Sequence, residues 1–188
     1  MRAFLIVVGF VITQRLIELI LAKRNERLLK KRGAIEIGAE HYKWLILLHI
    51  MFFLSLCGEV LMIRPTFFYW SVVPALFFLS AQCVRLWALL ALGDYWNTKI
   101  IILPGAQAVN KGPYRLMRHP NYLVVAIEIF ALPLLFQAYF TMVVFTLLNA
   151  AILLKVRLPD EEEALLQLAD YKEKMAYKPR FMPHTDRK

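Results

Sequence analysis

The chain has 188 residues, enough for one domain, and 60% of them are hydrophobic. That share, with a positive mean hydropathy, lies above the usual apolar content of a soluble domain and excludes an ordinary water-soluble globule. A formal net charge of +9 invites a nucleic-acid reading, but basic residues also gather on the cytoplasmic side of membrane proteins. The expectation is an all-α integral membrane protein, a single domain over residues 1–188 with no nucleic-acid partner.

Residues 3–22 form the first predicted span, about 20 residues, the length that a hydrocarbon core of roughly 30 Å requires. No small-residue cleavage pattern follows it, so it reads as a retained helix. Arg15 and Glu18 stand three apart on one of its faces; such a pair either faces the protein interior or snorkels to the interface. Residues 23–43 are polar, with seven basic residues against three acidic, and read as a helical continuation ending at Gly33. The second span covers 44–63 and the third 67–92, the latter with Pro74 inside it.

After a polar, aromatic cluster over 93–99, a short apolar run at 100–103 closes on Pro104-Gly105. Two short spans follow, 122–138 and 141–154, joined by Tyr139-Phe140. Their length and tight link predict a helical hairpin held inside a bundle. Beyond Lys155 the chain turns polar. Asp160 reads as an N-cap with Glu163 as its capping-box partner, and Ala164, Leu168, Tyr171 and Met175 recur at helical spacing. A C-terminal amphipathic helix is therefore predicted, docked on the bundle or lying at the interface. The two cysteines, Cys57 and Cys83, fall in apolar segments without metal or redox spacing, so no metal site is expected.

Charge sets the topology. Segments 23–43, 93–121 and 155–188 carry seven, four and eight Lys/Arg, against Arg2 and Arg64 on the other side. Five spans with the N-terminus outside and the C-terminus in the cytoplasm satisfy that bias, as in a protein of the inner (plasma) membrane.

Two segments flanking the short hairpin then share the cytoplasmic face. The first, 112–122, carries Tyr114, Arg115, Arg118, His119 and Tyr122; the second carries Arg157 and the three glutamates Glu161, Glu162 and Glu163. Pro120 biases His119 away from helix and suits the first helical position, so His119 should lie at a helix N-terminus that favours an anion. Glu161 and Glu162 suit an ammonium group. S-adenosylmethionine, with a carboxylate, an ammonium and a base to stack on tyrosine, fits both ends. ATP or a lipid headgroup fits the basic end alone. There is no glycine-rich phosphate loop, zinc-protease helix, cysteine ligand set or nucleophile elbow.

The run Gly112-Pro113-Tyr114-Arg115 with Arg118-His119-Pro120-Asn121-Tyr122 resembles the signature of the isoprenylcysteine carboxyl methyltransferase family, bacterial branch. So does Arg157 with Glu161-Glu162, then Leu165, Tyr171 and Pro179-Arg180-Phe181-Met182-Pro183. The likeness covers about residues 85–183, and Leu123 and Val124 stand where the family carries glycine. The segment from Trp96 to Gly105 is similar to enzymes that O-methylate alkylpyrones. The resemblance implies a cytoplasm-facing S-adenosylmethionine site built without a Rossmann fold. Arg118, His119, Tyr122, Glu161, Glu162 and Tyr114 would hold the cofactor.

Methyl transfer to an already ionised oxygen needs alignment and exclusion of water more than a base. Arg157 is the candidate for orienting the acceptor oxygen, because its planar fork suits a carboxylate or enolate; Asn97 is a candidate additional donor. The acceptor would be a lipophilic small molecule entering from the membrane. A nicotinamide-dependent membrane reductase with a related hairpin, and a non-catalytic adaptor on anionic lipids, remain open.

Overall fold

The computed structural model describes residues 1–66 and 69–181. The predicted start of the third span at Phe67 and the motif residues Met182 and Pro183 lie outside them. Among the described residues, seven α-helices and two short strands follow in the order α1 (Arg2–Lys31), β1 (Ile35–Ile37), α2 (Ala39–Ile63), α3 (Val72–Leu92), β2 (Ile100–Ile102), α4 (Pro120–Leu135), α5 (Tyr139–Ile152), α6 (Leu158–Leu165) and α7 (Tyr171–Met175). Among the described residues, four helical stretches are long and apolar enough to cross a membrane: Arg2–Lys31, Ala39–Ile63, Tyr69–Tyr95 and Tyr139–Leu165. Pro120–Leu135 is a shorter apolar helix beside them. The five predicted spans thus each have a helix.

At 1.5 Å per residue α1 extends about 45 Å, longer than the roughly 30 Å hydrocarbon core, so its basic end clears the apolar layer. The chain leaves it at Gly33, whose φ of +91° is left-handed backbone that glycine adopts at little cost. The helices pack through Phe4, Val8 and Val11 of α1, Leu48, Phe52, Leu56 and Val60 of α2, and Ile129 and Leu132 of α4. Phe52 meets Phe145 of α5 edge to face, with ring centroids 5.6 Å apart. The opposite faces are apolar and exposed, the arrangement that lipid rather than water rewards.

Arg15 and Glu18 face inward. Arg15 bonds Glu18 at 2.8 Å and reaches Glu128 of α4. Arg85 of α3 bonds Glu18 at 3.1 Å and Glu128 at 2.6 Å, and Gln82 donates to Glu128 at 2.7 Å. Two arginines and two glutamates thereby tie α1, α3 and α4 together at the level of the apolar spans. Elsewhere Glu59 of α2 accepts from the Phe140 and Thr141 amides at 2.9 and 2.8 Å, supplying from outside the negative charge that the α5 N-terminus lacks.

α4 and α5 do form a hairpin, but its link is not Tyr139-Phe140. Those residues open α5, and the turn is 136–138, where Gln137 takes φ +59°. The Pro133 carbonyl accepts from both Phe136 and Ala138, at 3.0 and 2.9 Å, which stops α4 early. The hairpin returns the chain to the end where α4 began.

Two further expectations change at the C-terminal end. Asp160 is not a cap, because the chain is already helical from Tyr139 through Leu165 and α6 makes no side-chain cap bond. Asp160 sits in the first turn of α6, 3.7 Å from His41. The predicted amphipathic helix is interrupted between Leu165 and Tyr171. Its apolar face still docks: Tyr171 and Met175 are buried with Ala88, Ala108 and Tyr114, and Leu168 packs against them.

The apolar run at 100–103 contains the strand β2. β1 and β2 pair antiparallel, with Ile35 opposite Ile102 and Ile37 opposite Ile100. This ribbon joins the loop after α1 to the loop after α3. Downstream, Gly112 opens a single 3-10 turn (Gly112–Arg115) that lies directly on α3. Its φ is +56°, and a Cβ there would stand 2.8 Å from Ala91 Cβ and 3.0 Å from Trp87 Nε1. Gly112→Ala is therefore expected to cost at least about 2 kcal/mol, left-handed strain plus overpacking. Thermal unfolding in detergent measures it, and a Tm at the wild-type value would contradict the packing.

Candidate functional site

The start of α4 and the start of α6 meet, as the hairpin requires. His119 Nε2 lies 3.3 Å from Glu162, its Nδ1 lies 3.7 Å from Glu161, and its ring stacks on Tyr122 with centroids 5.5 Å apart. Tyr122 donates its hydroxyl to Glu161. Arg157 Nε donates to the same hydroxyl at 3.0 Å, and its Nη2 donates to the Thr98 carbonyl at 2.9 Å. Arg157 Nη1 has no hydrogen-bond partner among the described residues.

Arg157 closes a π-helical turn (Leu153–Arg157) between α5 and α6. A π turn inserts extra backbone into a helix and re-aims the side chain that follows, a feature common at functional sites. Here it turns a buried guanidinium toward Tyr122 and the loop at Thr98. Periodicity in the sequence carries no signal for it.

Glu161 and Glu162 separate in environment. Glu161 borders the principal cavity, whereas Glu162 does not. Glu162 is gripped instead by Arg180 at 2.6 and 3.0 Å and by Arg118 at 3.0 Å. The bond to Glu162 in turn holds the Arg180 guanidinium above its ordinary pKa. The C-terminal strap that carries Arg180 also takes two backbone amides at this end. Arg118 N donates to Pro179 O at 3.0 Å and His119 N to Arg180 O at 3.1 Å. His119 is the N-cap of α4, as its place before Pro120 predicts, but its own amide is already taken by the strap. Lys178 pins the strap from below, its amine on Asn110 Oδ1 at 2.6 Å and on the Tyr114 carbonyl at 2.8 Å. Burial, and then Arg115 nearby, lower that amine's pKa.

Asn97 has a local job. It donates to the Ala22 carbonyl at 3.2 Å and accepts from the Lys99 amide at 3.1 Å, so one end of its amide ties the loop to α1 and the other closes the loop on itself. Tyr114 is buried, accepts from Asn121 Nδ2 at 2.9 Å, and is pushed far above the ordinary phenol range by burial, with Glu161 adding to it. It stays protonated at any physiological pH.

Asn97, Tyr114, His119, Tyr122, Arg157 and Glu161 border one cavity of about 680 Å³, within the range of small-molecule sites. One end is made by Tyr114, Arg118, His119, Tyr122, Glu161 and Tyr171; Arg157, Asn97 and Thr98 lie along its wall. The other end lies between α1 and α2, where Ile12, Leu16, Leu19, Ile46, Ile50 and Leu54 border it and are exposed outward as well. The cavity therefore opens sideways at the level of the apolar spans. Among the described residues, three that border it hold a buried polar atom with no partner: Arg118 Nε, Asn121 Oδ1 and Trp96 Nε1. Leaving such atoms unpaired costs about 1–3 kcal/mol each. Trp96, Asn121 and Tyr171 were not singled out as binding residues from the sequence, and Arg180 entered only as part of a motif.

The model of the isoprenylcysteine carboxyl methyltransferase (ICMT) family matches residues 72–167, which contain α3, both halves of the hairpin, Arg157 and the paired glutamates. The chain belongs to the ICMT family. That membership makes it a multi-pass membrane methyltransferase. The ICMT match begins at the start of α3, earlier than the resemblance at about residue 85, and stops before α7 and the strap. Two bacterial relatives extend the likeness over most of the chain. An uncharacterized protein of Bacillus subtilis (strain 168), YpbQ, is 49% identical over 162 residues, 86% of this chain and 96% of the relative. An uncharacterized protein of Haemophilus influenzae is 29% identical over 155 residues, 82% of this chain and 90% of the relative.

Proposed function

We propose that this ICMT-family protein transfers a methyl group from S-adenosylmethionine to an anionic oxygen of a lipophilic acceptor, an alkylpyrone-like enol or a carboxylate. The observation that carries this reading is the single cavity that joins a polar, two-signed end to an apolar mouth between α1 and α2. Family methyltransferases generally use S-adenosylmethionine, which supplies, when bound, an electrophilic methyl group on a sulfonium.

The residues present fit that cofactor. Glu161 borders the cavity and suits the ammonium. Arg118, with its buried unpartnered Nε, suits the carboxylate, and Tyr114, His119 and Tyr122 offer ring surface to the base. Asn121 Oδ1 is a further buried group at the cavity without a partner among the described residues. Glu162 acts one step back, fixing Arg118, His119 and Arg180 in place.

Arg157 orients the acceptor oxygen. Its Nε and Nη2 are anchored on Tyr122 and Thr98, which leaves Nη1 to meet an enolate or carboxylate. Such an acceptor arrives ionised, so the protein needs no strong base and spends its groups on alignment. Asn97 is a positioning residue that holds the 97–99 loop and thereby Thr98. The Lys/Arg bias supports a cytoplasmic side for this end, with the N-terminus outside.

Calorimetry with S-adenosylhomocysteine in detergent tests the cofactor site. Glu161→Gln is expected to weaken binding at least tenfold, about 1.4 kcal/mol. Wild-type affinity in that variant, or tight NADPH binding without S-adenosylhomocysteine binding, would overturn the assignment. Labelled methyl transfer into a lipid extract then identifies the acceptor.

A further inference from the structure

The apolar mouth of the cavity is not uniformly apolar. Arg15, Glu18, Arg85 and His49 line it along with the aliphatic side chains. A quartet that served only to bind helices together would be sealed, because charges at that depth are costly to expose and costly to leave unpaired. Glu18 and Arg85 are buried, but the Arg15 side chain retains 23% exposure and borders the cavity. Its Nη1 and Nη2 are given to Glu18 and Glu128, and Nε has no partner among the described residues.

His49 borders the same stretch from α2. Its Nδ1 donates to the Leu45 carbonyl at 2.7 Å, since a carbonyl can only accept. That bond fixes the tautomer and leaves Nε2 as an acceptor, again without a partner among the described residues. A donor on α1 and an acceptor on α2 thus border the same mouth of the cavity. The quartet holds two arginines and two glutamates, so no surplus charge is available to bind an ion. The complementary group is neutral and both donates and accepts, as a hydroxyl does.

Its depth follows from helix rise. His49 lies seven residues beyond Tyr42, which bonds Thr98 beside Arg157; that is roughly 10 Å along α2. Glu128 lies six residues beyond Tyr122, roughly 9 Å along α4. We propose that Arg15 and His49 form a second recognition point for the methyl acceptor, selecting an amphiphile with a hydroxyl about 10 Å along its chain from the methylated oxygen. The proposal rests on the acceptor reading of this cavity and narrows it to an enol or carboxylate whose chain carries a hydroxyl.

The test uses the full chain in detergent and three probes: stearate, stearate hydroxylated at mid-chain, and stearate hydroxylated next to the carboxyl. Direct binding is expected to favour the mid-chain alcohol at least fivefold over both others. His49→Phe should bring that ratio toward one, and His49→Gln, which keeps an acceptor, should restore part of it. Equal binding of the three probes, no binding by any, or a preference that survives His49→Phe overturns the proposal. S-adenosylhomocysteine binding is read on the same samples. Its loss with the alcohol preference intact would remove the cofactor reading and leave the hydroxyl site standing.

Discussion

Arg157→Lys is expected to lower the rate of methyl transfer about a hundredfold while changing S-adenosylhomocysteine affinity less than about threefold. Lysine keeps the charge but cannot reproduce the fork. Arginine anchors Nε on Tyr122 and Nη2 on Thr98 at once, and the remaining nitrogen is thereby fixed in direction. A flexible ammonium satisfies one partner at a time and would leave either the phenol or the carbonyl without its donor. Because Glu161 also engages Tyr122, a small loss of cofactor affinity is expected, but the larger effect belongs to orientation of the acceptor. Labelled-methyl kinetics beside calorimetry separate the two. A rate loss matched by an equal affinity loss would show that Arg157 serves the cofactor instead.

Arg85→Met should destabilise the protein by about 3–5 kcal/mol, because it leaves a buried carboxylate without its charge partner. Arg85 is 3% exposed and holds Glu18 and Glu128 together. With it gone, Arg15 alone faces two carboxylates. Removing Glu128 as well, in Arg85→Met/Glu128→Leu, leaves the Arg15–Glu18 pair at charge balance and should recover a large part of the loss. Unfolding of the two variants in mixed micelles measures the difference. A single variant within about 1 kcal/mol of wild type would mean that lipid or water already satisfies Glu128.

Much of this site was legible in the chain. Arg118, His119, Tyr122, Glu161 and Glu162 do meet, since two polar motifs flanking a short apolar hairpin have to return to one end of it. The different surroundings of the two glutamates were not legible. Adjacent carboxylates look alike in a sequence, yet Arg180, eighteen residues away, engages Glu162, and the strap it belongs to fills the amides beside His119. Glu161 is left on the cavity wall.

Composition and periodicity by themselves determined the class, the helices and the hairpin, because hydrophobic length and charge asymmetry are properties of the chain alone. They also exposed Arg15 and Glu18 as a problem, since charge inside an apolar run must find a partner. Only tertiary structure chose that partner: Glu128 and Arg85 come from α4 and α3, and nothing local links them to α1. The same holds for the β1–β2 ribbon, whose strands are too short to signal themselves before they pair. The π turn that aims Arg157 and the cavity between α1 and α2 belong here too. Each depends on where helices stop and how they lean, and those are settled by packing rather than by the residues in between.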